Sequence, residues 1–134
     1  MARAAADSIQ MEVVTILLVE DDDALRELSA RVLRNAGYRV LEAVNGEDAL
    51  NDSERHGHIA LLLTDVVMPK IGGVELAERL CSRDPALRVI YMSGYSEAIP
   101  RRQGLLRPNA PWIIKPFSLS QLLQQVRTTL DAPA

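Results

Sequence analysis

The sequence has few aromatic residues, one cysteine, no excess of basic charge and no long apolar run. Aromatic side chains make up 4% of the 134 residues, so aliphatic side chains must fill the interior. Because Cys81 is the single cysteine of the sequence, an internal disulfide and a metal site built from several cysteines are excluded. The 15 basic and 18 acidic residues give a net charge of -3, which argues against direct binding of nucleic acid.

No apolar run approaches the ~20 residues of a membrane-spanning helix. The amino terminus also lacks the sustained apolar stretch of a secretory signal. We therefore expect a cytoplasmic protein without membrane insertion. The length fits one domain with a substantial core. We expect a flexible lead-in over residues 1–13, one domain over residues 14–131 and a tail over residues 132–134.

The stretch Ile59–Pro69 organises the chain, because its apolar run ends in a single acid, Asp65. An apolar run without alternation predicts a strand buried on both faces of a parallel sheet. Asp65 is then expected just past the carboxyl end of that strand. An acid in this place is by itself most often a turn former or a helix cap. The other predicted strands are Thr15–Val19, Tyr38–Val44, Leu87–Met92 and Trp112–Ile114.

Helices are predicted between these strands from apolar residues at helical spacing and from their capping residues. The prolines in Glu97–Pro111 favour a short or irregular segment there. The alternation of strands and helices predicts a doubly wound α/β fold. The first predicted helix has Asp22 and Asp23 as acids of its first turn and is closed by Gly37. The other predicted helices cover Glu47–His56, follow Gly72-Gly73, and run from the cap Ser118 to Leu130.

Polar residues follow the predicted strands at the point where each strand ends. Glu20 and Asp21 follow the first strand, Asp65 the third, Ser93 the fourth and Lys115 the fifth. Because the carboxyl ends of parallel strands lie at one edge of a sheet, we expect these side chains to converge. Converging carboxylates repel one another unless a cation such as Mg²⁺ is bound. Together with a lysine and a hydroxyl, they suit an incoming phosphoryl group, which an aspartate can accept.

The chain resembles the receiver domain of two-component response regulators. The resemblance covers roughly Val14–Asp131 and implies the flavodoxin-like five-stranded parallel sheet of order 2-1-3-4-5, with helices on both faces. It implies a phospho-acceptor switch of a phosphorelay that assists its own phosphorylation and is not a metabolic enzyme. The stretches that carry the resemblance are Ile16–Glu27, Leu61–Pro69, Ile71–Gly73, Val89–Ser96 and Ile113–Phe117.

This resemblance also implies roles for individual residues. Asp65 aligns with the phosphorylated aspartate, which receives its phosphoryl group from a histidine kinase or a histidine phosphotransfer protein. Asp21 aligns with a direct Mg²⁺ ligand and Glu20 with one that acts mainly through water. The backbone carbonyl of Val67 is expected to supply another ligand, beside Asp65 itself.

Ser93 matches the switch hydroxyl and Lys115 the lysine of the family, and the Lys115-Pro116 peptide is expected to be cis. Trp112 stands where the family usually has a smaller ring that turns inward, and it is either that switch residue or an interfacial side chain that fills a groove. The expected contact surface for the phosphoryl donor comprises Ala24, Leu25, Leu28, Pro116 and Phe117.

Three alternatives remain open from sequence. The first is an unphosphorylated pseudo-receiver that acts as an interaction module. The second is an aspartyl-phosphate hydrolase, which needs a second aspartate where the chain has Val67. The third is a nucleotide-binding enzyme, although no glycine-rich loop follows the first strand. We expect a monomer or weak dimer without an output domain, and Gly104–Phe117 resembles the receivers of hybrid sensor kinases.

Overall fold

The computed structural model describes residues 13–94 and 111–132 of the chain. Predictions for the Glu97–Pro111 segment up to residue 110, the lead-in up to residue 12 and the last two residues lie outside this part. In chain order, the elements are β1 (Thr15–Val19), α1 (Asp23–Asn35), β2 (Arg39–Ala43), α2 (Gly46–His56), β3 (Leu61–Asp65), α3 (Gly73–Arg83), β4 (Arg88–Ser93), β5 (Trp112–Ile114) and α4 (Leu119–Asp131).

The strands of the described residues form one parallel sheet in the order β2-β1-β3-β4-β5. This confirms the predicted fold class and strand order. The apolar strands β1 and β3 lie side by side near the centre, with Leu17 paired to Leu62. Their residues are buried on both faces, as continuous apolar runs without alternation predict.

Helices cover both faces of the sheet, and each face has its own apolar core. On one face, Leu17 and Leu62 pack with the buried residues of α2 and α3, such as Ala49 and Leu76. On the other face, alternate strand residues pack with α1 and α4. This second core comprises Ile16, Leu18, Ala30, Leu33, Val40, Leu61, Leu63, Ile90, Met92, Ile113, Leu122 and Val126.

Several strand bounds differ from the sequence prediction by a residue, and the ends of β3 and β4 bear on the site. Asp65 is the last residue of β3 and Ser93 the last residue of β4, whereas both were expected just past their strands. For Asp65 the reason is that the β3–β4 ladder continues to the pair Asp65 and Met92, and the next amide, that of Val66, donates to the Met92 carbonyl at 3.0 Å. For Ser93 it is the pairing with Ile114 of β5. Both predicted site residues are therefore held by the backbone pairing of the sheet.

The helix starts show how capping side chains set the loops at the carboxyl edge. Asp22, expected in the first helical turn, is instead the N-cap of α1, and its carboxylate accepts a hydrogen bond from the Leu25 amide at 3.0 Å. Ser118 caps α4 as predicted, in a reciprocal capping box with Gln121.

In the described part of the chain, no helix combines the length and the apolar character that crossing a bilayer requires.

Candidate functional site

Glu20 and Asp65 present two buried carboxylates at the carboxyl edge of the sheet. Glu20 follows β1, and its amide donates to the Ala43 carbonyl at 3.1 Å, which extends the β1–β2 pairing by one residue. The side chain of Glu20 is 1% exposed and that of Asp65 is 7% exposed. Oε2 of Glu20 also accepts a hydrogen bond from the Asp22 amide at 3.0 Å. Backbone contacts therefore hold the acids in place.

Asp21 brings a third carboxylate to the same point. One carboxylate oxygen each from Glu20, Asp21 and Asp65 lies within 4.8 Å of the other two. Asp21 is exposed, whereas Glu20 and Asp65 are buried. Three carboxylates at this spacing carry more negative charge than one lysine neutralises. The set of hard oxygen donors, open to solvent on the Asp21 side, fits a divalent cation such as Mg²⁺.

Lys115 lies between the two buried acids. Its Nζ is 2.7 Å from Oε1 of Glu20 and 3.1 Å from Oδ1 of Asp65. Burial by itself lowers the pKa of Lys115, but the contacts with Glu20 and Asp65 raise this pKa by more, so the pKa lies above its usual value. Lys115 is therefore a fixed positive charge at the site. The following peptide, Lys115-Pro116, is cis as the resemblance implied.

The two predicted switch residues lie on neighbouring strands. Ser93 is fully buried at the end of β4, and its hydroxyl donates to the Gly94 carbonyl at 3.1 Å. Trp112 begins β5, pairs with Tyr91 and packs, half-buried, against the core beside α2 and α3. The structure places both residues, but a switching role for either stays a prediction.

The remaining predicted residues differ in their exposure to solvent. Val67, two residues after Asp65, is 53% exposed, and its role as a carbonyl ligand stays a prediction. The expected donor surface stays a prediction as well. Of that surface, Ala24, Leu28 and Pro116 are exposed, whereas Leu25 and Phe117 are half-buried.

Sequence analysis missed two residues that support the site. Gly73 was read only as part of a helix start, yet a Cβ atom there would lie 2.2 Å from the Asp65 carbonyl oxygen. Arg26 received no role from the sequence, yet its side chain is 11% exposed and its Nη1 donates to the Glu20 carbonyl at 3.0 Å. The double glycine was a signal for Gly73, whereas nothing in the sequence singled out Arg26.

Fold and site together define a class of protein. Residues 16–127 match the family model of the response regulator receiver domain, and the chain belongs to this family. Receiver domains are signalling domains of two-component systems. These domains generally bind Mg²⁺ and interact with histidine kinases or phosphotransfer proteins.

Two curated relatives show the contexts in which similar chains occur. The chain is 38% identical over 118 residues to the sensor kinase CckA of Brucella abortus (strain 2308), covering 87% of this chain and 12% of that protein. It is 34% identical over 117 residues to the response regulator receiver protein CpdR of the same organism, covering 87% of this chain and 97% of that one. The chain thus corresponds to a small part of one relative and to nearly all of the other.

Solved structures agree with this family. The receiver domain from the hybrid histidine kinase CckA superimposes with a TM-score of 0.73 at 35% identity, covering 87% of this chain and 99% of that one. A response regulator receiver protein from Sinorhizobium medicae WSM419 gives a TM-score of 0.81 at 28% identity, covering 91% of this chain and 98% of that one.

Proposed function

We propose that this receiver domain is a Mg²⁺-dependent phospho-acceptor, with Asp65 as the acceptor. The observation that supports this most directly is the position of Lys115, whose ammonium lies 3.1 Å from Asp65 and 2.7 Å from Glu20 in a group of three carboxylates. A charged lysine beside a buried carboxylate can bind an oxygen of the phosphoryl group as it approaches that carboxylate.

The donor would be a phosphohistidine of a histidine kinase or a phosphotransfer protein. An Asp65 oxygen attacks the phosphorus, a new O–P bond forms, and the P–N bond breaks with its electron pair remaining on the imidazole nitrogen. The product is an acyl phosphate on Asp65. The backbone pairing of β3 and β4 orients Asp65 for this attack, and Lys115 neutralises charge on the phosphoryl oxygens.

Glu20, Asp21, Asp65 and the carbonyl of Val67 would hold Mg²⁺, which supplies further charge neutralisation for the phosphoryl group. The phosphoryl group on Asp65 carries about -2 charge units in place of the single negative charge of the carboxylate. We propose that Ser93 and Trp112 respond to this charge and change a partner surface, and that the donor contacts the exposed face of α1 and the Pro116-Phe117 loop.

Intact-protein mass spectrometry after incubation with Mg²⁺ and acetyl phosphate tests this proposal. We expect one phosphoryl increment in the wild type and none in Asp65→Asn. No increment in either folded protein would favour the alternative, an unphosphorylated pseudo-receiver that acts as an interaction module. An increment in both would show that Asp65 is not the sole acceptor.

A further inference from the structure

The side chain of Arg26 connects α1 and β2 with the acidic site. Nη2 lies 2.8 Å from Oδ1 of Asp23, and Nε lies 3.4 Å from Oε1 of Glu42. Nη1 donates to the backbone carbonyl of Glu20 at 3.0 Å. The fork of the guanidinium group therefore joins a residue of its own helix, a residue of the edge strand and the backbone of the acidic loop. A lysine has no such fork and could not make the three contacts at once.

The position of Asp21 depends on its backbone. Within residues 13–94 and 111–132, its carboxylate has no hydrogen bond or ion pair, and the side chain is exposed. The peptide before it carries the Glu20 carbonyl, which accepts from Arg26. The peptide after it carries the Asp22 amide, which donates to the Glu20 carboxylate at 3.0 Å. Asp21 thus lies between two peptides, each fixed by one hydrogen bond.

We infer that Arg26 is a positioning residue for the metal site, which aims the Asp21 carboxylate at the cluster by fixing the peptide between Glu20 and Asp21. This inference rests on the proposed Mg²⁺ site. Without the hydrogen bond from Arg26 to the Glu20 carbonyl, the peptide between Glu20 and Asp21 rotates more freely. The Asp21 side chain, which follows this peptide, then adopts several orientations. The oxygen of Asp21 then leaves the 4.8 Å cluster for part of the time, which lowers the affinity for the cation.

Arg34 offers a matched control on the same helix. Its Nη1 lies 2.9 Å from Oε2 of Glu42, and its Nη2 donates to the Val40 carbonyl at 2.8 Å. Arg34 therefore shares the Glu42 partner of Arg26 and also bonds a backbone carbonyl, but within the described residues it makes no hydrogen bond or ion pair with Glu20. A loss of general α1–β2 packing should affect both variants, whereas a loss of Asp21 positioning should affect only one.

The test compares Arg26→Met and Arg34→Met with the wild type by titration calorimetry with MgCl₂. We expect Arg26→Met to raise the Kd for Mg²⁺ about tenfold, as supporting residues around metal ligands do. Arg34→Met should stay within about twofold of the wild type, because exposed ion pairs contribute little. Equal Kd values for the two variants would overturn the inference.

A second measurement requires no metal. Amide hydrogen exchange by NMR should be faster for Asp22 in Arg26→Met than in Arg34→Met. If Arg26→Met does not fold, Arg26→Lys replaces it. We expect the lysine variant to bind Mg²⁺ more weakly than the wild type and Arg34→Met do, and its Asp22 amide to exchange faster than theirs, without a complete loss of binding. Wild-type exchange rates and affinity in the lysine variant would reject the positioning role. A wild type that binds Mg²⁺ and accepts phosphate would uphold the proposed function in either case.

Discussion

Gly73 packs directly against the backbone of Asp65. A Cβ atom at residue 73 would lie 2.2 Å from the Asp65 carbonyl oxygen and 3.0 Å from the Asp65 carbonyl carbon. The amide of Gly73 also donates to the Val66 carbonyl at 2.8 Å. The start of α3 and the end of β3 are therefore in contact through backbone atoms alone. A side chain at this position would force a shift at the contact between the start of α3 and Asp65, the residue that we propose as the phospho-acceptor.

We expect Gly73→Ala to lower the free energy of unfolding by roughly 1–3 kcal/mol, as overpacking does. It should also slow phosphorylation by acetyl phosphate, because we expect part of the shift to fall on the Asp65 backbone. Gly72→Ala is the control, since a Cβ atom there meets only the Val66 carbonyl, at 3.2 Å. Urea unfolding and intact mass measure the two effects. An alanine at residue 73 that phosphorylates at the wild-type rate would contradict this prediction.

Removing the charge of Lys115 should leave two buried acids without their cation. We expect Lys115→Met to destabilise the protein by about 3 kcal/mol in the absence of divalent cations, as the breaking of buried ion pairs does. Added Mg²⁺ should then raise the Tm of this variant more than that of the wild type, because the cation replaces the missing charge. Thermal unfolding with and without MgCl₂ measures this difference.

Lys70→Met serves as the control for Lys115→Met, since Lys70 is exposed and the described residues include no ion pair with it. Its Tm shift with Mg²⁺ should equal that of the wild type. An equal shift in all three proteins would mean that the cation binds away from the Lys115 site.

Ser29 is a buried polar residue whose hydroxyl has no hydrogen-bond partner among the described residues. An unpaired buried hydroxyl costs free energy, so Ser29→Ala should stabilise the protein by about 1 kcal/mol. Ser53→Ala is the control, because the Ser53 hydroxyl has a partner and donates to the Leu50 carbonyl at 2.8 Å. Removing this hydroxyl should not stabilise the protein. Urea unfolding of both variants at equal protein concentration compares them.

The phospho-form should hydrolyse slowly. Val67 is exposed at the rim of the site and has no amide or acid that would orient a water molecule toward an acyl phosphate. We expect a lifetime longer than seconds in Mg²⁺ buffer, followed by intact mass after removal of acetyl phosphate. Val67→Asn should shorten this lifetime, whereas Val13→Asn, at another exposed valine, should leave it unchanged. A wild-type lifetime of seconds or less would count against the role of residue 67.

Much of the fold follows from local sequence features. The runs around Leu17 and Leu62 lack polar alternation, and such runs are stable only where helices cover both faces of a sheet. Helix caps such as Ser118 are determined by one side chain and the amide three residues later. The edge at which the acids converge also follows, because parallel strands place all their carboxyl ends on one side.

Only the tertiary structure decided which groups touch at that edge. The distances from Lys115 to Glu20 and Asp65 depend on how β5 is placed beside β4, which no local pattern encodes. The contacts that bring Gly73 to Asp65 and Arg26 to Glu20 are with backbone carbonyl groups, which every residue carries. Sequence patterns report side-chain types, so a partner that is a carbonyl oxygen becomes visible only when the chain is folded.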